Sequence, residues 1–213
     1  MRDLIVASIR FSLVSWVLCG LVYPLAATAL AQALFPIQAN GSLVRKADGT
    51  IIGSILIGEN WTEPQWFHGR PSATIGASPN DPNKSIPSPY NASNSGGSNF
   101  GPTSEQLWQR LSTDRKALEL SQPALSGQML PADMLTTSAS GLDPDISVAN
   151  AILQASRVAT ARGLSEEKVR ALIEKRVIGR DLAIFGEPRV NVLELNLALE
   201  RAFPSVQGGA GEP

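Results

Sequence analysis

Residues 11–36 read FSLVSWVLCGLVYPLAATALAQALFP, and no charged side chain occurs between Arg10 and Arg45. A helix needs about 20 apolar residues, rising about 1.5 Å each, to cross a hydrocarbon core ~30 Å thick, so the stretch is long enough to span a membrane. Pro24 would kink a helix in water, but a membrane helix tolerates proline where neighbours satisfy the freed carbonyl. Trp16 and Tyr23 lie inside the stretch, as packing residues rather than interfacial anchors. The competing reading is a cleaved secretory signal, with Ala29-Leu30-Ala31 as a small-x-small site and Arg2 and Arg10 as the basic flank. The apolar run before that site is about 20 residues against about 7–15 for a signal, so the sequence predicts a retained transmembrane helix over 11–36. Arg2 and Arg10 tie with Arg45 and Lys46 in the basic count. The α-amino group and the position of Arg10 at the helix start favour a short cytoplasmic N-terminus, residues 1–10, and a main domain outside the cytoplasm.

Working outward, the 213 residues carry 18 Lys+Arg against 19 Asp+Glu, one His and one Cys. A net charge of −1 lacks the cationic surplus that phosphate contacts demand, which argues against nucleic-acid binding. A lone Cys19 excludes an internal disulfide framework and any multi-cysteine metal centre; in mid-span it acts as a small hydrophobe. Charged residues make up 17% of the chain, below the roughly 25% usual for soluble domains, because the span holds none.

Beyond the span, 42–46 and 50–57 flank Asp48-Gly49, a strong hairpin signal, and the apolar end of the second strand predicts burial. Trp61, Trp66 and Phe67 precede His68-Gly69-Arg70-Pro71-Ser72, and a Pro/Ser/Asn/Gly-rich tract reaches Thr103 with only Asp81 and Lys84 charged. So long a loop tract is usually functional, and it is expected to be ordered against the domain or a partner. Leu107, Trp108, Leu111 and Leu118 are spaced for a helix starting at Ser104. Ser147 caps a predicted helix from Val148 to Arg162 with Gly163 at its C-terminus. Ser165 opens a second helix, with Glu166 and Glu167 in its first turn and Lys175 and Arg176 in its last. Asn191 and Glu194 form a capping-box pattern for a third helix to Phe203, although the alternation in 192–197 also suits a strand. The fold class expected is a mixed α/β (α+β) domain over 37–203 behind one N-terminal transmembrane helix, with 204–213 as a disordered tail.

Several chemistries are absent. No glycine is followed by lysine, which removes a phosphate-cradling P-loop, and no G-x-S-x-G elbow occurs. His68 reads as a turn histidine bonding to backbone, and Asp143 and Asp145 as turn residues before a capped helix rather than paired catalytic carboxylates or metal ligands. The clusters 95–103 and 138–141 could form anion-binding nests of backbone amides, though turn formation alone also explains them.

The ordered set of a Tyr23-Pro24-containing span, Gly53-Ser54 with Leu56-Ile57-Gly58, Phe67-His68-Gly69-Arg70-Pro71-Ser72, Ser95-Gly96-Gly97-Ser98-Asn99, Ser140-Gly141-Leu142-Asp143-Pro144, Arg157-Val158-Ala159-x-Ala161-Arg162-Gly163 and Val190-Asn191-Val192-Leu193-Glu194-Leu195-Asn196 resembles the C subunit of the bacterial Kdp potassium-transporting ATPase. The resemblance runs from about residue 10 to 203; Glu59 stands where that family more often has Gln, and Asp145 where it often has His. It implies a non-catalytic, single-pass inner-membrane subunit whose large domain is periplasmic. Its implied partners are a channel-like potassium-translocating subunit, a P-type ATPase subunit and a small membrane peptide. The chain has neither an Asp-Lys-Thr-Gly-Thr phosphorylation sequence nor a Thr-Val-Gly-Tyr-Gly filter, so ATP and K+ are expected to be handled by the complex. The resemblance also implies a catalytic chaperone that raises the ATP affinity of the ATPase subunit. If nucleotide touches this chain, Gln154 is the candidate for adenine, its amide offering donors and an acceptor, and Ser140 and Gly141 are further nucleotide candidates. The competing role for Gln154 is a helix amide bonding neighbouring backbone. No catalytic or metal residue is expected. The alternative is a stand-alone membrane-anchored periplasmic hydrolase using His68.

Overall fold

A computed structural model of the chain describes residues 1–46 and 48–204. The chain divides into two compact units, Met1–Ser54 and Ile55–Pro213. The first begins with a continuous helical stretch of 33 residues, Arg2–Leu34, with no buried side chain. It is built of α1 (Arg2–Val17), a π-helical turn (Leu18–Val22) and α2 (Tyr23–Leu34). The irregularity has a local cause: Pro24 has no N–H, and its ring crowds the preceding turn. The helix widens just before it, with the Tyr23 N–H donating to the carbonyl of Leu18 five residues back. Against the expected span of 11–36, the helix able to cross a membrane runs Arg2–Leu34: it starts well before Phe11 and ends before Phe35, with Pro36 opening a separate short helix.

A short α3 (Pro36–Ala39) and a turn at Gly41-Ser42 lead into β1 (Leu43–Arg45), which pairs antiparallel with β2 (Ile51–Ser54). The predicted turn is present: Gly49 has φ +87°, and the Asp48 carboxylate accepts the Thr50 N–H at 2.8 Å. The expected second strand is shorter than its apolar run. It ends at Ser54, and Leu56 is exposed rather than buried.

The second unit corrects the reading of the polar tract. It contains a hairpin, β3 (Ile75–Ser78) with β4 (Asp81–Pro87), in the register Ile75↔Pro87 and Ala77↔Ser85. Pro82 and Pro87 hid it, since proline is confined to edge positions and bulges, and both strands here are edges. The tract is nonetheless ordered against the domain as expected: Gly96 donates to the Ser140 carbonyl at 2.9 Å, and Ser98 meets Thr137 at 3.2 Å.

Helix α4 (Glu105–Ser121) begins at Ser104, whose hydroxyl accepts from Leu107, but none of its side chains is buried. Leu107, Leu111 and Leu118 are half-buried, while Trp108 turns outward and donates to the Pro102 carbonyl. The core lies further on, in β5 (Asp145–Ser147), α5 (Val148–Arg162), α6 (Glu166–Glu174), β6 (Arg189–Asn191) and α7 (Val192–Ala202). Along α5, Ala151, Ala155, Val158 and Ala159 recur at helical spacing, and their small volumes let α6 approach closely. Val169, Ile173, Val190, Leu195 and Leu199 fill the space opposite, each side chain of that size stabilising by about 1.5–3 kcal/mol on burial.

The caps read from sequence are largely realised. Ser147 accepts from Asn150 at 3.1 Å, Gly163 takes φ +64°, and Asn191 accepts from Glu194 at 3.1 Å, which fixes 192–202 as helix rather than strand. Two details differ. Ser165 sits at the N-cap of α6 without a side-chain cap bond, and α6 stops at Glu174, leaving Lys175 and Arg176 beyond its last turn. The chain must leave the helix there because Ile178 pairs with Arg189, N–H to carbonyl at 2.8 Å. Of the tail expected to be disordered, 204–213, residues 205–213 lie outside the described residues.

Candidate functional site

Residues 64–72 cross the helical core without a strand partner, so side chains must satisfy their backbone groups. Two carboxamides do so in the manner of a neighbouring peptide. Asn196 of α7, fully buried, accepts the Phe67 N–H at 2.8 Å and donates to the Phe67 carbonyl at 3.0 Å. Gln154 of α5 accepts the His68 N–H at 2.8 Å and donates to the His68 carbonyl at 3.0 Å. Just upstream, Arg157 donates to the carbonyls of Pro64 and Trp66, and Arg162 to that of Gln65 while stacking 4.3 Å over the Trp66 ring. Burial pushes the Arg157 guanidinium down to about 10, which still leaves it charged at neutral pH.

Gln154 therefore has its polar atoms engaged within the chain: the same oxygen also accepts from Arg157 at 2.7 Å, and the nitrogen donates to Asn150 at 2.8 Å. Ser140 and Gly141 lie on a different loop. The Ser140 carbonyl accepts from Gly96 and Ser95, its hydroxyl accepts from Leu142, and the Gly141 carbonyl accepts from Ser72 at 2.7 Å. The three nucleotide candidates do not share hydrogen-bond partners, and each is spent on holding one segment of the chain to another.

His68 is a backbone-bonding turn residue, with Nε2 3.0 Å from the Glu63 carbonyl. A carbonyl only accepts, so the ring is held with Nε2 protonated and donating to backbone. Burial, then the charge of Arg157, lowers its pKa below the ordinary 6.5. A depressed pKa makes His68 contribute stability above pH 6.5 that is lost as pH falls through the folded value. The wild type should therefore lose more thermal stability between pH 7.5 and 5 than His68→Gln does. Parallel pH curves for the two would contradict this.

Beyond His68, Tyr90 wedges into a slot between Gly58 and Gly69. A Cβ at either glycine would lie 2.4 or 2.3 Å from the tyrosine, so only glycine fits. Its hydroxyl donates to the Arg70 carbonyl at 2.7 Å, its φ is +59°, and burial pushes its pKa up to about 12. Arg70 pairs with Asp143 at 2.8 Å. An open cleft of about 800 Å³ lies alongside, lined among others by Trp61, Arg70, Tyr90, Phe100, Arg110 and Asp114. At the two departing positions, burial raises the pKa of Glu59, and burial followed by the charge of Asp143 raises that of Asp145 despite its 3.0 Å pair with Arg189. Among the described residues, no three of His, Cys, Asp and Glu gather to hold a metal ion.

Sequence reasoning missed Asn196, Arg157 and Tyr90. For Asn196 a signal existed, a polar residue between Leu195 and Leu197 on a helix with buried neighbours. Tyr90 had none, because its slot joins glycines distant in sequence.

Fold and site together define an internally braced α/β domain carried behind one helix long and apolar enough to cross a membrane. Over residues 5–201 the chain matches the profile of the family described as K+-transporting ATPase, c chain, and it belongs to that family, known as KdpC. It is 55% identical over 185 residues to the potassium-transporting ATPase KdpC subunit of Rhodopseudomonas palustris strain BisB18, covering 87% of this chain and 91% of that one. The KdpC subunits of Bradyrhizobium diazoefficiens and Methylobacterium nodulans are each 54% identical, over 89% and 86% of this chain and 92% and 89% of theirs.

Proposed function

We propose that this chain is the accessory subunit of a potassium-transporting ATPase, anchored by its N-terminal helix, with the domain from Ile55 onward on the non-cytoplasmic side of the inner membrane. The observation that carries the reading is the family match, which spans the apolar helix and the domain together. Its partners are the channel-like potassium-translocating subunit, the P-type ATPase subunit and the small membrane peptide, and the domain caps the outer potassium entrance.

ATP is cytoplasmic, so a domain on the far side influences it only through the assembly. Support for an indirect route comes from Gln154, Ser140 and Gly141, whose hydrogen-bonding atoms hold the chain's own backbone. A chaperone effect on ATP affinity is then a coupling free energy, typically about 1–3 kcal/mol, and it is reciprocal: ATP must change the subunit's affinity for the complex by the same factor. Sidedness is tested with an impermeant thiol reagent on Ser85→Cys, exposed on β4, in a Cys19→Ala background. Labelling from outside intact cells is expected. Labelling only from the cytoplasmic face would overturn the capping reading and favour direct nucleotide contact.

A further inference from the structure

Between α6 and β6 the chain makes a closed finger. Its base is the Ile178–Arg189 pair, bonded in both directions at 2.8 and 3.0 Å, and nearer the tip Asp181 and Phe185 exchange N–H···O bonds at 2.9 Å each. Every residue from 179 to 188 is exposed. The tip presents Leu182, Ile184 and Phe185, which are 84%, 71% and 62% exposed. Leu182 and Ala183, the central residues of the tip turn, have φ of +52° and +62°. That conformation favours glycine or asparagine, and here two consecutive apolar residues adopt it. Strain of this kind persists only where surrounding contacts over-determine it, and it clusters at functional elements.

Those contacts are present. Arg180 grips both oxygens of Glu187 at 2.9 and 2.7 Å, while Arg189 reaches Asp145 at 3.0 Å and Asp181 at 3.6 Å. The finger is thus braced to β5 and β6, next to the capped start of α7, so its apolar tip is held stiff rather than free to fold back onto the domain.

We propose that this finger is the docking wedge of the subunit, seating Leu182, Ile184 and Phe185 in a dry apolar cleft on a partner subunit of the same ATPase. The inference rests on the subunit reading above and names the surface through which that subunit engages. Charge decides the occupant. The finger's two arginines are matched by Asp181 and Glu187 within it, and Arg189 also by Asp145 of β5, so it has no cationic surplus to draw it to anionic headgroups. A convex tip also lacks the self-complementary surface that a two-fold pair of identical chains needs. What it fits is a concave, uncharged pocket, where buried apolar anchors dominate affinity and a rigid loop loses little entropy on docking.

The test uses the tagged full-length chain coexpressed with the other ATPase subunits and purified in mild detergent. Leu182→Ser/Phe185→Ser should weaken retention of the partners by about tenfold or more, as loss of central anchors does. Leu120→Ser, equally exposed on α4, should leave retention unchanged. A photoreactive side chain replacing Ile184 should cross-link to a partner subunit in the otherwise native complex, a readout independent of whether the serine variant folds. Full retention by a normally melting double variant overturns the wedge and leaves the subunit reading standing, as do cross-links solely to lipid or to a second copy. A wild-type chain that retains no ATPase subunit overturns both.

Discussion

Gly141→Ala should destabilise the domain by about 2–5 kcal/mol. Two costs add at this position. The φ of +67° is a left-handed conformation that costs a non-glycine residue roughly 1–2 kcal/mol. The new Cβ would also sit 2.5 Å from Thr74 Cγ2 and 2.6 Å from the Gly96 carbonyl oxygen, and overpacking of that kind costs about 1–3 kcal/mol. The carbonyl is backbone in a loop tied to Ser140, so it cannot swing aside as a flexible side chain would. Gly127→Ala is the control, since its φ is +73° with nothing within 4 Å, and only the conformational cost applies. Chemical denaturation of both variants in detergent checks the difference; equal losses would mean that the close approach of the 72–74, 96 and 141 segments is not what demands glycine.

Asn196→Leu should cost about 2–5 kcal/mol although leucine is the better helix former. The substitution strips the Phe67 N–H and carbonyl of their partners in a region closed to water, and each unsatisfied buried group costs about 1–3 kcal/mol. The gain in helix propensity is only a few tenths of a kcal/mol, so the lost bonds decide the sign. Gln154→Leu acts on the adjacent residue His68, and the two substitutions should therefore be non-additive, since the strap detached by one is no longer there for the other to hold. A loss below about 0.5 kcal/mol for Asn196→Leu, the range of surface substitutions, would show that water reaches the strap and that the carboxamide is replaceable.

The elements legible in the sequence were those governed by neighbours in the chain. An uncharged run between Arg10 and Arg45, an Asp48-Gly49 turn, Ser147 and Asn191 as caps and Gly163 as a helix stop each act within a few residues, through hydrophobic length, a local side-chain bond or a permitted φ. Seven scattered motifs in a fixed order carried the family resemblance, which the profile match then established over 5–201. The β3–β4 hairpin escaped because prolines and serines give no alternation, and its pairing is one edge strand against another.

Tertiary structure alone decided what the polar residues do. Gln154 offers the same amide whether it faces a ligand or a backbone, and its partner lies 86 positions away at His68. Asn196 reaches across 129 positions to Phe67, and Tyr90 fills a slot whose two glycines, Gly58 and Gly69, carry no mark of facing each other. The finger likewise reads as a short apolar run, and only the fold leaves Leu182, Ile184 and Phe185 in solvent on a braced turn. The physical reason is range: hydrophobic periodicity and capping are local terms written in adjacent residues, whereas hydrogen-bond satisfaction and steric fit belong to pairs that meet only once the chain has closed.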